Sequence, residues 1–283
     1  MTFTTWLAIA SALCVVAAPS TAGAQAVAYS VRRAAADTVP QGGDKHLFNR
    51  RDAVMAGAFA VTTVLLFPLD RQLARTLQNE AAKANDFFED ASAGVEYIAS
   101  PGAYLIGGSL YLAGQATGSR KLADLGWHGT EAVLLGEGTS MLLKGILGRG
   151  RPLVNVEDPS DFRFGHGFAD SDWRSFPSGH TTTAFAAASA VTDETTRWWP
   201  GSTWVVGPLM YGGATLVGLS RMYHNRHWAS DIALGALIGT FSGKKVVLAS
   251  HANPNNVIDR FMLGGHVAPS KFGTINVGWG TKW

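Results

Sequence analysis

At 283 residues the chain can bury a substantial core, as one large domain or one with a small appendage. A formal net charge of +2 leaves no nucleic-acid footprint, so nucleic acid is excluded as a partner. Hydrophobic residues at 47% against charged residues at 16% are apolar for a soluble protein, yet a mean hydropathy of +0.09 is low for a chain made mainly of bilayer spans.

Residues 1–24 read as a secretory signal. An apolar run over 6–18 precedes Pro19-Ser-Thr-Ala-Gly-Ala24, with small residues at Ala22 and Ala24 suited to cleavage. The lead, Met1-Thr-Phe-Thr-Thr, has no Lys or Arg, and an uncleaved anchor is the alternative. The only cysteine, Cys14, lies inside this segment, so a cleaved chain has no disulfide, thiol catalysis or cysteine-bound zinc. Residues 25–51 read as a polar linker, 52–250 as the functional domain and 251–283 as a tail.

Six helical candidates follow: 53–69; an amphipathic 71–98 running into 103–117; 129–147; 180–191; 204–219; and 231–249. Gly and Pro mark the junctions at Pro101-Gly102, Gly148, Gly150, Pro152, Pro200-Gly201 and Pro254. In the tail, Ile275, Val277, Trp279, Thr281 and Trp283 alternate with Asn and Gly residues and Lys282, which predicts a short C-terminal strand or hairpin. The fold class is therefore all-α, a helical bundle with a short C-terminal β element.

Three clusters carry chemistry. In the first, Lys144-Gly-Ile-Leu-Gly-Arg-Gly-Arg-Pro152, two helical turns separate Lys144 from Arg151. Gly148, Gly150 and Pro152 predict that the helix ends between them and that Arg151 is extended. A basic helix end stabilised by the macrodipole is the plain alternative. In the second, Phe176-Pro-Ser-Gly-His-Thr181, free backbone N–H groups and the positive helix end meet at one point, an anion site to which Ser178 adds a hydroxyl. Gly179 allows close approach there, and His180 sits on the first turn as a proton donor to a departing oxygen. A simple Ser N-cap explains Ser178 but not the Gly-His pair. In the third, Ser220-Arg-Met-Tyr-His-Asn-Arg-His-Trp-Ala-Ser-Asp231, His227 and Asp231 are four apart, which on a helix starting near His227 would place them on one face. A carboxylate there orients the imidazole and raises the basicity of its other nitrogen. Arg221 adds a planar fork for phosphate.

Lys144-x6-Arg151-Pro152, Pro177-Ser178-Gly179-His180 and Ser220-Arg221-x5-His227-x3-Asp231 together resemble the three-part signature of the type-2 phosphatidic acid phosphatase and vanadium haloperoxidase superfamily. All eleven fixed positions are present in order. The resemblance implies a six-helix bundle over about 52–250 and a phosphatase working without a metal. In that reading Lys144, Arg151 and Arg221, with Ser178 and the Gly179 amide, hold the phosphoryl oxygens. His227 attacks phosphorus to form a phosphohistidine, Asp231 holds its ring, and His180 is the general acid. The substrate would be a phosphorylated small molecule or a lipid phosphate, with no cofactor, and vanadate would bind as a phosphate mimic.

Two alternatives from other classes stand beside this: vanadate-dependent halide oxidation in the same pocket, and a non-catalytic lipid-binding protein, which would be expected to lose one of the charged or histidine positions. The acidic loop with Asp158, Asp161, Asp170, Asp172 and His166 reads as a solvated segment bordering the entrance rather than a calcium site, and His224 has no assigned role. Trp198, Trp199 and Trp204 suit a membrane interface, with ordinary rim aromatics as the alternative. An outward-leading signal followed by six full spans would put Lys144 and Arg151 on the inner face, opposite to integral members of the superfamily. The expectation is therefore a periplasmic, membrane-associated bundle, with an integral membrane protein as the alternative.

Overall fold

The computed structural model describes residues 48–78, 86–253, 256–269 and 275–279; the expected signal and nearly all of the expected linker lie outside them. Helix α1 (Arg50–Leu66) starts inside the segment read as linker, because Asn49 and Asp52 close a reciprocal capping box. The Asn49 amide donates to Asp52 Oδ2 at 2.8 Å and the Asp52 amide to Asn49 Oδ1 at 3.1 Å, a device of about 1 kcal/mol. A 3-10 turn (Phe67–Leu69) leads into α2 (Asp70–Leu77). The expected single helix over 71–98 is thus two pieces, the second being α3 (Asp86–Tyr97). Pro101 and an extended Ser100 then kink the chain before α4 (Ala103–Thr117).

Helix α5 (Arg120–Leu147) begins nine residues before the expected start at 129. At its end Gly148 adopts φ 56°, and a Cβ there would lie 1.9 Å from the Arg163 carbonyl oxygen, so only glycine fits. The helix stops between Lys144 and Arg151, as the glycines predict. Helix α6 (Gly179–Trp198) outruns its expected 180–191 by seven residues. The extra turns carry Thr195 and Thr196, whose hydroxyls donate back to the Val191 and Thr192 carbonyls at 2.8 and 2.6 Å. Helices α7 (Thr203–Tyr223) and α8 (Ala229–Ala252) complete the bundle. A short α9 (Val257–Met262) leads to an antiparallel hairpin of β1 (Gly265–Pro269) and β2 (Ile275–Trp279), Val267 facing Val277, as the period-2 pattern predicts.

Packing of α8 on α6 sets the register of the site. A Cβ on Gly235, Gly239 or Gly243 would fall 2.6, 2.3 and 2.6 Å from the carbonyl oxygens of Ser178, Thr182 and Ala186. Spaced four apart, these glycines let the two backbones touch along two turns and admit only one alignment. Phe185, Ala188, Val217 and Ala236 seal the middle of the bundle, and Leu77, Leu219 and Ile232 its catalytic end. Each fully buried side chain of the size of Phe185 or Ile232 contributes about 1.5–3 kcal/mol.

The outer surface is apolar. Val54, Val61, Val64 and Leu65 on α1, Leu105, Ile106 and Leu112 on α4, Leu134, Leu135, Met141 and Leu142 on α5, and Trp204, Val205 and Leu209 on α7 are all exposed. Two segments, Arg50–Leu77 and Ala229–Ala252, are long and apolar enough to cross a membrane; most of the first faces outward, whereas most of the second is buried in the bundle. Exposed apolar side chains on four helices, with two segments long and apolar enough to cross a membrane, suit a lipid surface, and the protein is membrane-associated.

Candidate active site

The three sequence clusters converge at one end of the bundle. Lys144 comes from the last turn of α5, Ser178, Gly179 and His180 from the start of α6, Arg221 from the end of α7, and Asp231 from the first turn of α8. Arg151 and His227 lie in the connecting loops. Because α6 and α8 both begin here, their positive ends and unpaired first N–H groups face the site, Gly179 N–H among them.

His227 is buried and precedes the N-cap of α8, Trp228, so it does not share a helical face with Asp231 as expected. The pair meets for another reason: Asp231 is the third helical residue and turns back to cap the helix, its Oδ2 accepting the Trp228 amide at 2.8 Å. His227 Nδ1 donates to the Ser175 carbonyl oxygen at 2.7 Å, with Asp231 Oδ2 at 3.4 Å. The nearest holder of the ring is therefore a backbone carbonyl that no motif contains. With the proton fixed on Nδ1, Nε2 keeps its lone pair. Burial, with the Lys144 and Arg221 charges adding to it, pushes the His227 imidazolium down to about 3, so the ring is neutral at physiological pH.

Asp231 is saturated: Oδ1 accepts Arg149 Nη1 at 2.6 Å, and Oδ2 accepts the Ser175 hydroxyl at 2.5 Å besides the Trp228 amide. Arg149 itself is fully buried and bridges to Asp70 Oδ2 at 2.8 Å, the Ser230 hydroxyl at 2.7 Å and the Pro159 carbonyl at 2.6 Å. Its guanidinium lies 4.6–5.6 Å from the ring centroids of Phe67, Phe162, Phe176 and Trp228.

Ser178 is the N-cap of α6, its hydroxyl oxygen 2.9 Å from that of Thr181, which donates to it, and its own hydrogen remains available to an anion. The Ser178 amide donates to the Asp231 carbonyl at 3.0 Å, joining the two helix starts. Lys144 Nζ donates to the Arg174 carbonyl at 2.7 Å, and its side chain lies against Gly179. Lys144, Arg151 and Arg221 are near enough to repel one another, and Nε of both arginines is buried without a protein partner among the described residues. Such donors are suited to phosphoryl oxygens. His180 is half-buried, and burial beside Arg221 pushes its imidazolium down to about 4.

Sequence reasoning missed Glu96 on α3. Its carboxylate pairs with Arg221 Nη1 and accepts His224 Nδ1 at 2.7 Å and the Ser220 hydroxyl at 3.2 Å. His224, unassigned from sequence, completes this with Ser92 Oγ 3.1 Å from its Nε2. The loop over 153–176 supplies the Arg174 and Ser175 carbonyls to the site. Its acidic residues serve the loop: Asp158 and Asp170 accept backbone amides two residues on, and Asp161 pairs with Arg163.

Residues 126–254 match the PAP2 superfamily, and the match covers all three clusters. Over 72 residues the chain is 44% identical to a lipid A 1-phosphatase of Porphyromonas gingivalis, a stretch that is 25% of this chain and only 15% of that protein. Among solved structures, Aquifex aeolicus LpxE is similar at 24% identity with a TM-score of 0.47, over 63% of this chain and 94% of that one. A transmembrane PAP2 type phosphatidylglycerolphosphate phosphatase of Bacillus subtilis is similar at 19% identity with a TM-score of 0.40, over 70% and 97%.

Proposed function

We propose that this protein is a PAP2-type lipid-phosphate phosphatase that cleaves a phosphate monoester through a phosphohistidine on His227. The observation that carries the reading is the buried, neutral His227, its Nδ1–H tied to the Ser175 carbonyl, set beside Lys144, Arg151 and Arg221. Nε2 attacks phosphorus in line with the leaving oxygen. The three cations, the Ser178 hydroxyl and the Gly179 amide neutralise the equatorial oxygens. As the P–O bond breaks, His180 gives its proton to the leaving alkoxide, then takes one from the water that cleaves the P–N bond and releases phosphate. No step draws on a metal at this site, and vanadate would bind there as a phosphate mimic.

A lipid-bearing substrate is favoured by the entrance loop, where Leu153, Val154, Phe164 and Phe168 are exposed beside the apolar outer faces of the bundle. The lipid A 1-phosphatase likeness points the same way. We place the protein at the membrane facing the periplasm, exported by its N-terminal segment.

The test is phosphate release by the washed soluble and membrane fractions, offered a phosphatidate and a small aryl phosphate, with EDTA present and His227→Ala as control. Membrane-bound activity on the lipid, lost in the variant and accompanied by an acid-labile, alkali-stable phosphoprotein on rapid quenching, is expected. Soluble activity on the aryl phosphate alone would refute the lipid assignment, and full activity in the variant would refute the nucleophile.

A further inference from the structure

The far end of the bundle holds a second cluster. His128 on α5, Glu194 on α6 and His251 on α8 bring one ligand atom each within 4.8 Å of one another, and the first two are buried. His128 Nδ1 is 2.5 Å from Glu194 Oε1, and His251 Nε2 is 2.9 and 3.1 Å from the two Glu194 oxygens. At 1.5 Å per residue, Glu194 lies roughly 20 Å along α6 from His180, and His251 roughly 30 Å along α8 from Asp231. This cluster therefore has no part in the phosphoryl site.

We propose that His128, Glu194 and His251 form a structural site for a divalent transition-metal ion of the zinc class. Two imidazoles and one carboxylate are the donor set such ions favour, and the three donor atoms already lie within 4.8 Å of one another. Two independent observations support a cation there. First, the other face of His128 meets a carboxylate: Nε2 is 3.6 Å from Asp259 Oδ1, both atoms are buried, and neither has a closer hydrogen-bond partner among the described residues. When Nδ1 binds metal, the ring proton moves to Nε2 and Asp259 accepts it, the arrangement that fixes metal-bound histidines. Second, negative charge exceeds positive. Glu194, Asp259 and the half-buried Glu131, whose Oε2 has no partner among the described residues, surround His128, while nearby Asp124 is matched by Arg120 at 2.6 Å. Helices α6 and α8 also end here, adding the negative ends of their dipoles. Binding would tie α5, α6 and α8 together and, through Asp259, lock α9 onto them, so the tail is held by the same ion.

The experiment uses the full-length protein purified without chelator. Metal content by mass spectrometry is expected near one zinc per chain in the wild type and below a tenth in His251→Ala, which changes only the partly exposed ligand. After EDTA stripping, Zn²⁺ at about 100-fold over its Kd is expected to raise Tm by about 5–10 °C in the wild type and not in the variant. Co²⁺ should give the visible absorption of a tetrahedral site, abolished by Glu194→Gln. Phosphate release should be equal in wild type and His251→Ala at a temperature where both are folded. Absence of bound metal together with an unchanged Tm in Zn²⁺ and Co²⁺ would overturn the proposal, leaving a proton-bridged ion-pair network. Metal binding that survives both substitutions would overturn the ligand assignment.

Discussion

Arg149 offers the most quantitative test of how the site is built. Replacing it with Met keeps the length of the side chain and removes the charge. The wild-type guanidinium is fully buried and joins Asp70 at 2.8 Å to Asp231 at 2.6 Å. Without it Asp70 retains the Ser230 amide and hydroxyl, and Asp231 retains Ser175 and Trp228. Two carboxylates then share an enclosed space with no cation between them. Breaking a buried ion pair by removing one partner costs about 3–5 kcal/mol. At about 2–4 °C per kcal/mol for a domain of this size, Tm should fall by roughly 6–20 °C. Adding Asp70→Asn removes one stranded charge, so the double variant should recover at least about 1 kcal/mol relative to additivity. The same change strips a positive neighbour from Asp231, and a less compensated carboxylate 3.4 Å from His227 raises the proton affinity of that imidazole. A group whose pKa rises loses its neutral form at higher pH, so the acid limb of kcat/KM should move upward. Thermal melts and pH–rate profiles of the single and double variants give both readouts. A Tm drop of under about 2 °C with no rescue by Asp70→Asn would refute the argument that Arg149 holds the two carboxylates.

His227→Ala should abolish turnover in a phosphate-release assay, and substantial remaining activity would end its role as nucleophile. Arg221→Lys keeps the charge but loses the fork, and kcat/KM should fall by about 100-fold; a near-normal rate would mean that Arg221 does not hold the phosphoryl group in bidentate fashion. Glu96→Gln removes the carboxylate that competes with substrate for Arg221, so inorganic phosphate should inhibit about fivefold more tightly, which an unchanged inhibition constant would contradict. Because His180 is neutral above about pH 4 in the empty site, the proton it delivers must arrive with a monoanionic substrate. As phosphate monoesters lose that proton near pH ~6, kcat/KM should fall about tenfold per unit above it, and a flat profile to pH 8 would exclude this route.

Much of the site was legible because its parts are local. Gly148 between Lys144 and Arg151 announces a helix end, and Pro177-Ser178-Gly179 announces a helix start, both from backbone chemistry that a few residues determine. The nearness of His227 to Asp231 was legible from a spacing of four, but not its geometry or the Ser175 carbonyl that takes the ring hydrogen bond, since spacing alone does not separate an i,i+4 helical pair from a capping carboxylate reaching back. Glu96, Asp70 and Arg149 left no such trace. Asp70 meets Arg149 across 79 residues and Glu96 meets Arg221 across 125, so only the packing of α2 and α3 brings them in. The start of α5 and the end of α6 were misjudged for a related reason. His128 and Glu194 break an apolar pattern, but they are buried against partners that come from other helices.

Charge explains why one bundle can carry two unlike sites. At the phosphoryl end Lys144, Arg151 and Arg221 converge, and both arginines keep a buried Nε without a protein partner among the described residues, a setting that favours a phosphoryl anion. At the far end carboxylates exceed cations, and a divalent cation would restore the balance. Helices α6 and α8 run from one end to the other, so their dipoles favour an anion where they begin and a cation where they end. The glycine contacts of Gly235, Gly239 and Gly243 hold these two helices in a single register, which fixes both ends at once. The phosphoryl site and the distal cluster are thus separated in chemistry but set by the same interface.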